Sequence, residues 1–156
     1  MSNSFKKEME LIRYVRSNIL KITAGLTTVQ LNKIPCKFNN SIAWNLGHLV
    51  ITQQNMGYKL GGLNPVPGTG WFAEFSSGTT PVRDLSSDNV DMIKHALVTT
   101  IERFENDYKN GVFDRYKPWT LHGVMDVSGV EDAAKIICVH EGRHYGVISC
   151  LLKLVA

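Results

Sequence analysis

Two histidines sit where a helix should be apolar. Projected at about 100° per residue, the last helical stretch gathers Ala133, Ile136, Ile137, Val147, Ile148, Leu151 and Leu154 on one face, with His140 and His144 in its middle. Lys135, Arg143, Ser149 and Lys153 fall opposite or at its edge. Spaced i, i+4, the imidazoles lie one turn apart with about 5–6 Å between Cβ atoms, which suits two nitrogens converging on one divalent metal. A buried imidazole needs partners for both ring nitrogens, so this helix must pack on an element that supplies them. The segment His140-Glu-Gly-Arg-His144 also fits the H-E-x-x-H string of zinc proteases. The tail from Tyr145 to Ala156 holds no Glu, Asp or His. A third ligand must come from earlier in the chain, which argues against the protease.

Helical spacing runs through most of the sequence. Phe5, Met9, Ile12, Val15, Ile19 and Ile22 predict a first amphipathic helix. A short extra turn over Thr27 to Lys33 ends at Pro35. Asn40 or Ser41 caps a second helix running to about Leu60 and closed by Gly61-Gly62. Ser86 or Ser87 caps a third, striped by Val90, Ile93, Leu97, Ile101, Phe104 and Tyr108 and ending at Asn110-Gly111. Ser128-Gly-Val-Glu131 reads as the capping box of the fourth. Between helices two and three lies a Gly/Pro-rich connection from Gly61 to Pro81 with Trp71, Phe72 and Phe75. Between three and four lies Val112 to Val127, with Trp119 and His122. Connections this long are often functional and leave room for a crossover. The expectation is an all-α protein, a four-helix bundle with two long inter-helix loops, formed as a single domain over residues 1–156.

The second helix carries the complement of the histidine pair. It is apolar around most of its circumference, but Asn45, His48, Thr52 and Asn55 form a narrow polar strip. Bundles place metals on inward-facing side chains. His48, His140 and His144 therefore make a three-nitrogen ligand set with coordination positions left open, the arrangement of catalytic rather than structural metals. Asn45, one turn before His48, is a candidate substrate contact or support for a ligand. Glu141 projects about 100° from His140, outside the ligand set; it is either a catalytic base or a marker of the helix flank. His95 lies opposite its helix's apolar stripe and reads as solvated. Nothing in the spacing demands His122. Trp44 reads as core, whereas Trp71 and Trp119 are candidate pocket walls.

Composition narrows the partners. A net charge of +3 with dispersed Lys and Arg gives no case for nucleic acid or an anionic membrane, and no apolar run approaches the roughly 18 residues of a membrane span. The first residues lack a signal-peptide apolar block. Three cysteines, Cys36, Cys138 and Cys150, without C-x-x-C spacing, read as reduced thiols filling small apolar spaces in a cytoplasmic protein.

The pattern Trp44-Asn-Leu-Gly-His48-Leu on the second helix, with His140-Glu-Gly-Arg-His144-Tyr-Gly146 on the last, resembles the DinB/YfiT-like superfamily of bacterial metalloproteins over essentially the whole chain. The resemblance implies a bundle of variant up-and-down topology and a divalent metal, nickel or zinc, on His48, His140 and His144. It also implies thiol S-transferase chemistry, in which a low-molecular-weight thiol such as bacillithiol or mycothiol is added to a small electrophilic substrate, and it favours a homodimer. Two other functions use the same histidines. One is a metal-dependent hydrolase with Glu141 as base. The other is a non-catalytic, metal-stabilised stress-response binding module.

Overall fold

The computed structural model describes residues 2–155. α1 (Asn3–Thr23) begins where the Ser2 hydroxyl accepts the Phe5 amide at 3.1 Å. α2 (Thr28–Asn32) is a single turn closed by a reciprocal capping box between Thr27 and Gln30. α3 (Ile42–Gln54) is capped by Ser41, whose hydroxyl takes the Trp44 amide. α4 (Ser87–Lys109) is capped by Ser86 and stops at Gly111, which adopts the left-handed φ of 72° that a side chain would resist. Each such cap is worth about 1 kcal/mol. α5 (Val130–Val155) completes the set.

The capping box expected at the start of α5 does not form. The Ser128 amide donates to the Asp132 carboxylate at 3.2 Å, while Glu131 receives the Tyr108 hydroxyl. The helix starts at Val130, one residue later than the motif assumes, so Asp132 takes the place along the first turn that the motif gives to Glu131, and Tyr108 draws Glu131 toward α4.

α1 packs along α5 and against α4, and α3 packs against α4 and α5. The long helices form a bundle in which α1 and α3, neighbours along the chain, occupy diagonal corners. The segment containing α2 and the Val112 to Val127 connection are the crossovers that make this arrangement. The latter is not a plain loop: it holds a short 3₁₀ turn (Val112–Arg115) and an antiparallel hairpin of β1 (Trp119–Leu121) and β2 (Met125–Val127). His122 and Gly123 both take positive φ, 50° and 70°, in the turn closed by the Val124 amide on the Leu121 carbonyl.

Every residue of α3 is buried, making it the central helix. At its end the chain widens into a π turn (Asn55–Lys59), where the Leu60 amide reaches the Asn55 carbonyl, five residues back. The Met56 carbonyl accepts the Tyr116 hydroxyl at 2.6 Å instead.

The buried apolar residues divide into two clusters, one around Ile19, Leu46, Leu49, Leu97 and Ile148 and the other around Phe5, Met9, Ile12, Phe104 and Ile137. Arg16 lies at their junction. Fully buried on α1, it donates to Glu141 of α5 at 2.6 and 2.9 Å, to the Leu97 carbonyl and Thr100 hydroxyl of α4, and to the Leu49 carbonyl of α3. One side chain thus touches all three other long helices. The α1 stripe is therefore Phe5, Met9, Ile12, Arg16, Ile19, Thr23, with Val15 and Ile22 only half-buried beside it. The cysteine expectation also needs correction: Cys138 is half-buried with its thiol pushed up to about 12, chiefly by burial, but Cys36 and Cys150 are exposed.

Candidate metal centre

His48 is buried on the second turn of α3, and its environment fixes the ring. Trp44, one turn earlier, stacks on it with centroids 4.7 Å apart and planes 12° from parallel. Its Nδ1 lies 2.7 Å from the Phe75 carbonyl. A carbonyl only accepts, so Nδ1 carries the proton and Nε2 presents a lone pair. Gly47 makes that contact sterically feasible, because a Cβ there would come within 2.5 Å of the Phe75 ring. The 3₁₀ turn Gly70–Phe75 thus lies directly on α3 and holds a metal-ligand candidate by its backbone.

α5 supplies the other two rings. His144 Nδ1 lies 2.8 Å from Asn45 Oδ1, while the Asn45 amide nitrogen donates to the Ser41 carbonyl at 2.7 Å. With the amide oriented that way, His144 is also the Nδ1–H tautomer with a free Nε2. His140 Nε2 stands 3.1 Å from His48 Nε2. One nitrogen from each ring can be chosen so that all three lie within 4.8 Å of one another. Metal–nitrogen bonds of about 2.0–2.1 Å put neighbouring ligand nitrogens about 3.0–3.3 Å apart, depending on coordination number, so the closest pair already has that spacing. The three histidines form a group fit to hold a metal ion.

Electrostatics agree with that fit. Burial pushes all three imidazoles down, His140 to about 3, His144 to about 4, and His48 also below its ordinary value. Neighbouring imidazoles and Arg143 add to the effect, while the Phe75 carbonyl opposes it at His48. The rings are therefore neutral near pH 7, the form that binds metal.

The rings open onto a cavity of about 650 Å³. All four members of the α3 polar strip, Asn45, His48, Thr52 and Asn55, line it, and Thr52 Oγ1 lies 3.3 Å from His48 Nε2. Trp44, Phe38, Met56 and Leu60 supply its apolar wall, and Arg143 and exposed His122 stand in its lining as well.

A family model for the DinB superfamily matches residues 11–148, a span containing all three histidines. The chain belongs to the DinB superfamily. No protein of curated function matches it.

Several of this DinB chain's predicted site residues lie elsewhere. Trp71 packs on Phe72 and lines a separate groove with solvent-exposed His95. Trp119 donates to the Tyr116 hydroxyl at 2.7 Å, outside the cavity lining. Glu141 is completely buried and held by Arg16, behind the histidines rather than in the cavity; burial pushes its carboxyl up and Arg16 pulls it back. The fully buried seam of α5 runs through Ala134, Ile137, Glu141, Ile148 and Leu151, so His140 sits at the border of that seam, half-buried, and Leu154 is exposed. Phe75 and Gly47 were missed as site residues. Gly47 was visible as a glycine inside a buried helix, a sign of close packing, but the carbonyl of Phe75 is invisible to side-chain patterns.

Proposed function

We propose that this protein is a cytoplasmic metal-dependent thiol S-transferase, holding nickel or zinc through His48, His140 and His144. It joins a small thiol to an electrophilic substrate: a carbon–sulfur bond forms, the acceptor's leaving group departs with its electron pair, and the thiol proton passes to solvent. The observation carrying this reading is the convergence of three neutral imidazoles on a wide cavity with no Asp or Glu in its lining. The metal, when bound, supplies a Lewis acid that keeps a thiol sulfur in its nucleophilic, deprotonated form.

The chain's own residues do the rest. Phe75 and Asn45 set the tautomers of His48 and His144, so that ring lone pairs face the cavity. Trp44 restrains the plane of His48 and, with Phe38, gives the acceptor an apolar surface. Thr52 places a hydroxyl beside His48 Nε2. Transfer is favoured over hydrolysis because Glu141, the candidate base for water next to His140 in the sequence, is engaged by Arg16 in the core.

A homodimer belongs to this reading, consistent with exposed Leu11, Tyr14 and Val139 on α1 and α5. The decisive test is metal content by mass spectrometry on chelator-free protein, beside His48→Ala and His140→Ala. The expected result is near one equivalent per chain, lost in both variants, with turnover of a thiol and a chlorinated aromatic acceptor by the loaded parent alone. A parent that neither carries nor takes up nickel or zinc would refute it.

A further inference from the structure

One histidine of the cavity wall has no part in the ligand set. His122 is exposed in the turn of the β1–β2 hairpin, and it lines the cavity together with Leu121. Contacts at the root of the hairpin fix where that turn stands. Trp119 Nε1 donates to the Tyr116 hydroxyl at 2.7 Å, which donates in turn to the Met56 carbonyl at 2.6 Å. The Lys117 amide donates to the Gly61 carbonyl at 2.9 Å, and Val127, at the other root, is fully buried. Met56 belongs to the π turn at the end of α3, and both it and Asn55 line the same cavity. One tyrosine therefore joins the hairpin that carries His122 to the turn that shapes the wall beside it.

The chemistry of the wall gives this histidine a task. A carbon–sulfur bond forms from a thiol only if the sulfur gives up its proton. Among the described residues the lining holds no Asp, Glu, Cys or Tyr. Lys37 and Arg143 are cations, which donate and do not accept. The Nε2 lone pairs of His48 and His144 belong to the metal site, their Nδ1 atoms being committed to Phe75 and Asn45, and His140 completes that set. The His122 ring makes no hydrogen bond among the described residues, and imidazole is the side chain that ordinarily gains and loses a proton between about pH 5 and 8. We infer that His122 is the general base of the cavity. A ring nitrogen takes the thiol proton, the sulfur's electron pair forms the bond to the acceptor carbon, and the leaving group departs with its own pair. The imidazolium then returns the proton to solvent. This rests on the thiol-transfer reading. The other charged or titratable groups of the wall are Lys37, Arg143 and the three histidines; on the hairpin itself, Asp126 receives the Thr120 hydroxyl at 3.1 Å.

The test variant is His122→Asn. His122 has a φ of 50°, and asparagine tolerates the left-handed region while offering no base. Cobalt uptake, read from its visible absorption, should match the parent, since His122 lies outside the ligand set. Binding of 2-mercaptoethanol to the cobalt-loaded protein is then followed by calorimetry in buffers of different ionisation enthalpy, which counts the protons released. The parent should release fewer protons per thiol bound than His122→Asn, the difference being the proton kept on the imidazole. With a chlorinated aromatic acceptor, kcat/KM at pH 7 should fall about 100-fold in the variant. That deficit should shrink as pH rises past about 8.5, where a thiol ionises unaided, and added imidazole should restore part of the loss at pH 7. Equal proton release in parent and variant would overturn the inference while leaving thiol binding intact. Loss of cobalt from His122→Asn would also overturn it, by making His122 a ligand. A proton difference without turnover would uphold the base and refute the transfer step alone. A cobalt spectrum indifferent to thiol would refute the thiol-transfer reading and this inference together.

Discussion

At the scale of single residues, the site depends on atoms that are not themselves ligands. His48 is useful only while its Nδ1 proton is committed to the Phe75 carbonyl, 2.7 Å away. That carbonyl reaches the ring because residue 47 has no side chain. In Gly47→Ala, the new Cβ would meet the Phe75 ring at 2.5 Å, and Phe75 is itself packed against Phe72 and Trp71. The 3₁₀ turn must retreat from α3, taking the carbonyl with it. Losing an outer hydrogen-bond partner of a metal-bound histidine typically lowers metal affinity by about 10–100-fold. Gly47→Ala should show a loss of that size in a competition titration against a chromophoric chelator, with α-helical circular dichroism retained. Asn45→Ala should do the same through His144. Wild-type affinity in both would mean that the rings hold their orientation without these partners.

At the scale of helices, the Arg16–Glu141 pair determines how α5 sits against α1. Its charges are almost wholly inaccessible, so removing one partner leaves an uncompensated buried charge and costs about 3–5 kcal/mol. Replacing both with apolar side chains can be close to neutral. Urea unfolding of Arg16→Met, Glu141→Leu and the double variant should find the double variant more stable than either single one. If the pair served catalysis alone, the single variants would keep parental stability. This pair also marks the limit of what hydropathy can read. The helices, their Ser41 and Ser86 caps and the α3 polar strip were legible because burial there follows apolar spacing. Arg16 and Glu141 fill core positions as charges that neutralise each other, and such compensation is a property of two segments 125 residues apart rather than of either pattern. The diagonal placement of α1 and α3 was hidden for a similar reason: every long helix has an apolar face, and no face names its partner. The three histidines were found because two independent elements showed the same anomaly, polar groups inside apolar surroundings. Trp71 and Trp119 were misplaced because an aromatic in a loop packs equally well against the core or around a pocket.

At the scale of the whole molecule, burying three imidazoles ties stability to pH. In the unfolded chain each titrates near 6.5; in the folded, metal-free protein His140 falls to about 3 and His144 to about 4, with His48 also lowered. Between those values the unfolded chain binds more protons than the native one, so stability rises with pH. The contribution is fully present above about 6.5 and is lost as pH falls toward the folded values, at up to about 1.4 kcal/mol per pH unit for each ring. The carboxylates whose values are lowered, Glu10, Glu105, Glu131 and Asp132, start from 4.5 or below, so they weaken the fold only in stronger acid. The interval from pH 6.5 to 5 therefore reports mainly on the histidines, with buried Glu141, whose carboxyl is pushed up, acting in the opposite sense. Urea midpoints of the chelator-treated protein should drop across that interval, and His140→Ala/His144→Ala should flatten the slope by about two-thirds. Bound metal should raise stability throughout and steepen the acid limb, because protons must then displace the ion as well as charge the rings. An unchanged slope in the double variant would mean that the two α5 rings bind protons as readily in the folded chain as in the unfolded one, and that the cavity is far wetter than its geometry implies.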